Sequence, residues 1–319
     1  MGMRRYLLKR LVHSMFVIFF VATVVFAAVR SIPGDPARLM LGGDADPAAL
    51  KALQRELGLN QPVYVQYFRW LGRILRGDLG ESIRTGQSVL ELLLQVAEPT
   101  LSIAGVGMAI ALTIAIPTGI ISAVKRYEIE DYISTLVAFF GISMPAFWIG
   151  IVLILVVGVN VEAIPTFGYT PLEEGVVPWF QSIILPSLAV GVPYGGILMR
   201  MMRSSMLEVL NQDYMRTARA KGLSTNLVLF KHGLQNALIP VVTLAGIFLA
   251  VVLGGVVAVE IVFGIRGLGR LLIGSINRRD FPVIQGTVIV ISFAFVFMNL
   301  IVDVLYTMIN PRIQYGGGD

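Results

Sequence analysis

The most distinctive polar residues of the chain lie in the segment Asn211–Thr243, which separates two long apolar runs. Within it, Asp213–Lys221 is rich in strong helix formers and has an acidic first turn. Gly222 follows at the position where a glycine commonly ends a helix. Ser224 can cap a second short helix after this bend. A charged helix, a bend and another helix at the surface of an apolar chain indicate a docking surface for a soluble partner.

The residues that could support catalysis or metal binding are few. The chain has no cysteine and two histidines, so a disulfide framework and a thiolate site are excluded. His232 and Asn236 share a helix face at i,i+4 spacing, and we interpret them as a polar pair that holds the charged segment. Ser143 would need a histidine at membrane depth to act as a protease nucleophile, but His232 lies in the charged segment and His13 near the inner surface.

ATP chemistry within this chain is also excluded. The sequence contains no G-x-x-x-x-G-K-[ST] motif, and Gly222 follows Lys221 instead of preceding it. The backbone nest and lysine that hold phosphates in such a loop are therefore missing.

The composition identifies an integral membrane protein. Of 319 residues, 56% are hydrophobic and 14% are charged, whereas a soluble domain has about 25% charged residues. The net charge of +5 could suggest a nucleic-acid partner. The basic residues, however, flank the apolar runs or lie in the charged segment, which is the pattern of membrane boundaries. We therefore expect a lipid bilayer as partner and no nucleic acid.

Six apolar runs approach or exceed the roughly 20 residues that a membrane-spanning helix needs. They are Leu11–Val29, Pro99–Val124, Tyr132–Val159, Phe180–Met202, Leu238–Ile261 and Phe281–Ile309. The basic start of the chain places the N-terminus in the cytoplasm, and an even number of spans returns the C-terminus there. Basic residues are normally enriched in cytoplasmic loops. Four arginines in the predicted outer loop 263–280 do not follow this rule. The fold class predicted is an all-α polytopic membrane protein.

We interpret the long hydrophilic stretch Ser31–Glu98 as a small folded extracytoplasmic insertion. Asp46 and Pro47 begin a helix that Gly58 ends, and Pro62 begins an amphipathic helix. A turn-rich piece, GDLGESIRTGQSV, follows. An alternative interpretation is that the amphipathic helices form a simple interfacial anchor.

Four further residues are candidates because of their place in the spans. Pro145 lies near the middle of the third span, where it would kink the helix and either shape a pathway or have no function. Asn299 and Asp303 lie in the last span, where polar groups are costly, so they either pair with a neighbouring helix or contact substrate. Glu260 is expected at the membrane interface at the outer end of the fifth span.

The charged segment resembles the cytoplasmic coupling loop of the permeases of ABC importers. Arg216, Thr217 and Ala218 occupy the three opening positions of the Glu-Ala-Ala-like signature of that loop, and Gly222 occupies its glycine. Arg216 stands where the signature has Glu, and Leu234-Gln235 where it has Leu-Pro. The sequence RTARAKGLS, with His232, Asn236, Pro240 and Thr243 downstream, resembles the corresponding segment in the first permease of the dipeptide/oligopeptide (peptide/nickel-type) branch. LGLNQPVYVQYFRWL, PGDPA and VDVLYTMINPR resemble this branch too, so the similarity covers nearly the whole chain.

The resemblance implies a type I ABC importer permease with six membrane-spanning helices and a helical insertion after the first. Its parts are 1–30, the N-terminus and first helix; 31–98, the insertion; 99–310, the core with the coupling loop 207–236; and 311–319, a cytoplasmic tail. The residues implied to couple transport to an ATPase are Asp213, Tyr214, Arg216, Thr217, Ala218, Arg219, Lys221 and Gly222.

The same resemblance implies the partners. They are a second homologous permease, two ABC ATPase subunits that bind the ATP and magnesium, and an extracytoplasmic substrate-binding protein. This chain would then be no enzyme and would hold no cofactor or metal. It would lie in the cytoplasmic (inner) membrane of a prokaryote with both termini cytoplasmic. The substrate stays open among peptides, nickel, glutathione and oligosaccharides.

An ion-driven secondary transporter that works alone is the alternative from a different class. Such proteins often contain two repeated halves with interrupted helices at matching positions. The sequence shows no such repeat, and the single long insertion breaks any symmetry between its halves.

Overall fold

The computed structural model describes residues 3–31, 36–41, 46–56, 58–254 and 256–309, which form an all-helical bundle. Its α-helices are α1 (Met3–Ser31), α2 (Pro36–Leu41), α3 (Pro47–Glu56), α4 (Val63–Ile74), α5 (Val89–Val124), α6 (Ile129–Ser143), α7 (Ala146–Leu153), α8 (Val176–Leu210), α9 (Asp213–Ala220), α10 (Thr225–Leu227), α11 (Leu234–Leu253), α12 (Val257–Val262), α13 (Leu268–Arg278) and α14 (Phe281–Ile309). The predicted tail 311–319 and the side chain of Asp303 lie outside the described part.

Among the described residues, five helical stretches are long and apolar enough to cross a membrane. They are Arg10–Ser31, Val89–Val124, Val176–Leu210, Thr225–Leu253 and Phe281–Val302. A sixth crossing results if the bent pair Ile129–Ser143 and Ala146–Gly158 is counted as one span. The all-α polytopic fold predicted from the sequence is confirmed.

The third apolar run is broken more sharply than the predicted kink. α6 and α7 meet at an angle of 102°. A proline disfavours the helical conformation in the residue before it, and Met144 is indeed extended, with φ −98° and ψ 130°. Pro145 then takes the first position before α7, and its carbonyl accepts hydrogen bonds from the amides of Trp148 and Ile149 at 3.0 and 3.1 Å. The proline therefore starts a new helix instead of bending an existing one.

The core of the bundle is built around the two longest helices, α5 and α8. Ile103 of α5 and Leu185, Ala189 and Val190 of α8 are buried in one apolar cluster. At Gly191 a side chain is impossible, because a Cβ atom would lie 2.6 Å from a backbone oxygen of α5. Small residues at such crossings allow helices to approach closely in lipid.

Three boundaries differ from those predicted. α5 is continuous across the predicted limit between insertion and core at residues 98 and 99, because Val89 and Leu93 continue its buried face. The fifth span ends at Leu253, and α12 follows as a separate helix. The short helix predicted after Ser224 is not separate: it runs through the π-helical turn Val228–Gly233 into the fifth span.

The insertion is fastened to the bundle in two places. Its amphipathic helix α4 packs Trp70 against Phe26 of α1, with ring centroids 5.2 Å apart. Its turn-rich piece is held by Asp280, which accepts hydrogen bonds from the Ser82 hydroxyl at 2.5 Å and the Ile83 amide at 3.2 Å. The insertion therefore has a fixed position against α1 and the start of α14.

Candidate docking surface on the charged segment

The charged helix α9 is anchored by one apolar face. Met215 and Ala218, three residues apart, are buried against Val209 and Leu210 at the end of α8 and against Val228. Residues at i,i+3 spacing share a helix face. α9 is therefore attached to the end of α8, so the two helices can move together.

The opposite face of α9 is exposed and carries the charges. The exposed residues of α9 are Asp213, Tyr214, Arg216, Thr217, Arg219 and Ala220, and Lys221 and Gly222, which follow it, are exposed too. Arg216 lies 3.6 Å from Asp213, and their side chains are 72% and 97% exposed. Because such exposed pairs contribute little to stability, these groups are available to a partner. Ala218, in contrast, faces the protein and has an anchoring position.

The end of α9 is formed by Gly222, whose φ is +75°. Its amide donates a hydrogen bond to the carbonyl of Arg219 at 3.0 Å. Glycine adopts a positive φ without steric cost, and this conformation ends many helices. Ser224 occupies the cap position of the next helix, but its side chain makes no capping hydrogen bond, so the predicted side-chain cap is wrong.

Asn236 fastens α9 to the fifth span. Its side-chain amide donates hydrogen bonds to the Tyr214 hydroxyl at 3.0 Å and to the carbonyl of His232 at 3.2 Å. The sequence interpretation of a polar pair that holds the charged segment therefore applies to the side chain of Asn236, while His232 contributes its backbone carbonyl.

A buried ion pair joins three helices at the same end of the bundle. Asp131 of α6 is 3% exposed. Its oxygens accept hydrogen bonds from Nε and Nη2 of Arg203 in α8, at 2.8 and 2.7 Å. Ser122 of α5 also donates to Asp131, and so does the amide of Tyr127 at 3.1 Å. We name these groups the inner lock. It fixes α8 relative to α5 and α6, two turns before α8 meets α9.

A second buried network lies at the opposite end of the bundle and corrects the position expected for Glu260. This residue is 0% exposed instead of lying at the membrane interface, because it belongs to α12, whose Val259 is buried in the same apolar cluster as Ile103 and Leu185. Its Oε2 accepts from the Arg270 amide at 2.7 Å, and its Oε1 from the Thr100 hydroxyl at 2.9 Å. The Thr100 hydroxyl in turn accepts from the Leu268 amide at 2.9 Å. Burial raises the pKa of Glu260, while these hydrogen bonds act to lower it. Glu260 thus joins α5 to the start of α13.

Removing the Glu260 carboxylate is expected to destabilise this outer region. Glu260→Ala leaves the Arg270 amide and the Thr100 hydroxyl without their acceptor in a buried place, which costs about 1–3 kcal/mol. The midpoint of thermal unfolding of the purified protein measures this loss. Glu260→Gln keeps an acceptor and should lose much less. Glu162→Ala, at an exposed position of the outer loop, should leave the midpoint unchanged, and an equal loss there would contradict the assignment.

The other residues predicted from their places in the spans have separate surroundings. Pro145 separates α6 from α7, as described above. Asn299 of α14 is partly exposed, and its amide donates to the carbonyl of Phe295 in the same helix at 3.0 Å. Its predicted partner on another helix or substrate stays a prediction. Asp303 belongs to the same helix, but its side chain lies outside the described part.

Comparison with known proteins gives matches over most of the chain. Residues 115–315 match the family of binding-protein-dependent transport system inner membrane components, and residues 3–104 match the N-terminal part of such membrane components. The chain is 42% identical to the probable peptide ABC transporter permease protein y4tP of Sinorhizobium fredii, over 97% of this chain and 99% of that protein. It is also 42% identical to the glutathione transport system permease protein GsiC of Escherichia coli K12, over 98% and 100%.

The fold is shared with a solved structure of lower sequence similarity. The methionine ABC transporter MetNI in an inward-facing conformation matches with a TM-score of 0.56 and 20% identity, over 69% of this chain and 97% of that chain. This likeness supports the arrangement of helices. The exposed face of α9 is therefore carried by a helical bundle of the ABC transporter type.

Proposed function

The chain belongs to the family of inner membrane components of binding-protein-dependent transport systems, and we propose that it conducts small peptides inward across the cytoplasmic membrane. The proteins named above, one for peptides and one for glutathione, are similar along their whole length. Glutathione is itself a short peptide, so the two names agree on a class of substrate. This is the support for a peptide substrate. The alternative of an ion-driven transporter that works alone is not favoured by these relatives.

The observation that carries the proposal is the exposed charged face of α9. We propose that Asp213–Gly222 docks in a groove of an ATPase subunit, with Arg216, Arg219 and Lys221 at the contact. The anchoring of Met215 and Ala218 on the end of α8 supports this role, because a force applied to α9 would reach a membrane-spanning helix directly.

The proposal includes the other components. Two ATPase subunits bind ATP and magnesium, and this chain holds no cofactor, in agreement with its lack of a phosphate-binding loop. A second homologous permease completes the pathway, and an extracytoplasmic binding protein delivers the substrate. The chain lies in the inner membrane of a prokaryote with both termini in the cytoplasm, which the basic N-terminus supports.

The mechanism then needs two arrangements of the bundle with different contacts. Closure of the ATPase subunits on ATP moves α9, and α8 moves with it. The spans change from an inward-facing to an outward-facing arrangement, and the binding protein releases its substrate into the open cavity. After hydrolysis the pathway opens inward again.

Purification of the tagged chain from native membranes in mild detergent tests the assembly. We expect a second permease and two ATPase chains, or two copies of one, to be identified by mass spectrometry. Uptake of a labelled dipeptide by cells or vesicles should continue when an ionophore collapses the ion gradient while ATP is maintained. A chain that purifies alone, or uptake that stops with the gradient, would overturn the proposal.

Substitution of Gly222 by a β-branched residue should uncouple ATP hydrolysis from uptake. Gly222→Val forces a β-branched residue into a φ of +75° and costs roughly 1–2 kcal/mol, so the end of α9 should shift. A Cβ atom at this position has no neighbour within 4 Å, so the effect would come from the backbone alone. Gly222→Asn is the matched control, because asparagine tolerates positive φ. Uptake per ATP should fall for Gly222→Val and stay near normal for Gly222→Asn; unchanged uptake in Gly222→Val would refute the coupling role.

A further inference from the structure

The amphipathic helix α4 presents three different faces. Its packed face, which includes Trp70, lies against α1 and α14. A second strip is apolar yet exposed, with Tyr64 and Phe68 at 66% and 65% exposure. A third strip carries Arg69 and Arg73, spaced i,i+4 on one side of the helix, and Arg76 lies in the turn that follows it. A helix with an exposed apolar strip beside a basic one is typical of the membrane–water interface.

The basic strip of α4 borders an open cavity of about 920 Å³ at the end of α1. Arg30, the last basic residue of α1, lines the same cavity, so four arginines line it together with the acidic residues Asp78 and Glu81. None of the four arginines forms an ion pair among the described residues. Like charges at i,i+4 repel each other, so an anion bound beside Arg69 and Arg73 would relieve this repulsion.

Apolar groups form the remaining wall of the cavity. Phe26 and Trp70, which are both buried, contribute to its lining. One amide oxygen, Oε1 of Gln66, is buried and has no hydrogen-bond partner, and Gln66 also lines the cavity. The cavity thus combines a basic rim, an unpaired polar atom and an aromatic wall.

The position of the cavity distinguishes between its possible occupants. It lies beside α1, which packs on α4 and α14 at the edge of the bundle and exposes a row of apolar side chains, including Phe16 and Phe20. The tightly packed helices α5 and α8 form the centre of the bundle. A site at the lipid-facing edge is accessible to the bilayer and distant from a central pathway.

We propose that this cavity binds the headgroup of an anionic phospholipid. The guanidinium groups of Arg69, Arg73 and Arg30 would hold its phosphate, because arginine binds phosphate oxygens through two parallel hydrogen bonds. The exposed strip with Tyr64 and Phe68 would lie among the acyl chains. A bound lipid would fix the insertion against α1, at the level where the membrane ends.

Lipid binding by the full-length protein tests this site without any measurement of uptake. The purified complex would be titrated with phosphatidylglycerol or phosphatidylcholine, and bound lipids would be counted by native mass spectrometry. We expect the Arg69→Gln, Arg73→Gln double variant to bind phosphatidylglycerol at least about tenfold more weakly. Arg76→Gln alone should weaken it less. Phosphatidylcholine, whose choline cation offsets the charge of its phosphate, should bind more weakly than phosphatidylglycerol to the native protein.

The control removes two exposed basic residues of the insertion outside the cavity, as Lys51→Gln with Arg55→Gln. It should bind phosphatidylglycerol like the native protein. An equal loss in this control would show that surface charge alone attracts the lipid and would overturn the proposal. Displacement of the lipid by millimolar inorganic phosphate would also overturn it, because the site would then bind a free anion. Unchanged binding of phosphatidylglycerol by the Arg69→Gln, Arg73→Gln variant would also overturn the proposal.

Discussion

Exchanging Arg216, Arg219 and Lys221 for glutamate is expected to abolish ATP-driven uptake and to release the ATPase subunits from the complex. All three side chains are exposed on the face of α9 that points away from the bundle. The fold of α9 should persist, since its anchors Met215 and Ala218 are unchanged. Like charges placed across an interface cost several kcal/mol, so the amount of ATPase that co-purifies should fall by at least about tenfold.

Two controls separate docking from membrane topology. Arg216→Lys with Arg219→Lys keeps the charge and should keep most of the complex. Lys125→Glu with Arg126→Glu removes positive charge from another exposed inner turn and should leave ATPase binding intact. If the triple glutamate variant still purifies with its ATPase subunits, the charges of α9 serve only to orient the chain in the membrane.

Features encoded by neighbouring residues could be predicted from the sequence. The extent of α9 follows from helix formers that Gly222 ends, and the positive φ of this glycine agrees with its role as a helix stop. The helix α4 was identifiable from the spacing of its apolar and basic residues after Pro62. The existence of the membrane spans likewise depends on local runs of apolar residues. In the described part of the chain, five long helices and one bent pair of helices coincide with those runs.

Features that depend on distant partners could not be predicted. Glu260 bonds to Thr100 across 160 residues, and Asp131 to Arg203 across 72. The sequence placed Glu260 at the end of a span, because the apolar run continues past Leu253 and gives no sign that a separate helix, α12, follows. Asp131 lies close to two other acidic residues, Glu128 and Glu130, so nothing in the sequence marks it for burial. The sequence places Asp131 at the start of one predicted span and Arg203 at the end of another. Both positions are predicted at the same surface of the membrane, but this does not show that the two side chains are in contact.

Neutralising Asp131 is expected to have the largest effect on stability. In Asp131→Asn, Arg203 loses the bidentate acceptor of its guanidinium, and breaking a buried pair in this way costs about 3 kcal/mol. The arginine side chain is 28% exposed, which places the cost at the low end for buried pairs. The midpoint of thermal unfolding should fall by roughly 5–10 °C. Uptake should fall too, because the inner lock positions α8, to which α9 is attached.

A double-mutant cycle distinguishes the pair from its separate groups. Arg203→Gln alone should also destabilise the protein, and the Asp131→Asn, Arg203→Gln double variant should lose less than the sum of the two, because neither partner is then left charged. The nearby pair Lys125–Glu130 is exposed, so Lys125→Gln with Glu130→Gln should produce no measurable change. Strict additivity of the Asp131 and Arg203 effects would mean that the two side chains act independently. The connection from α6 through α8 to α9 would then have to rest on apolar packing alone.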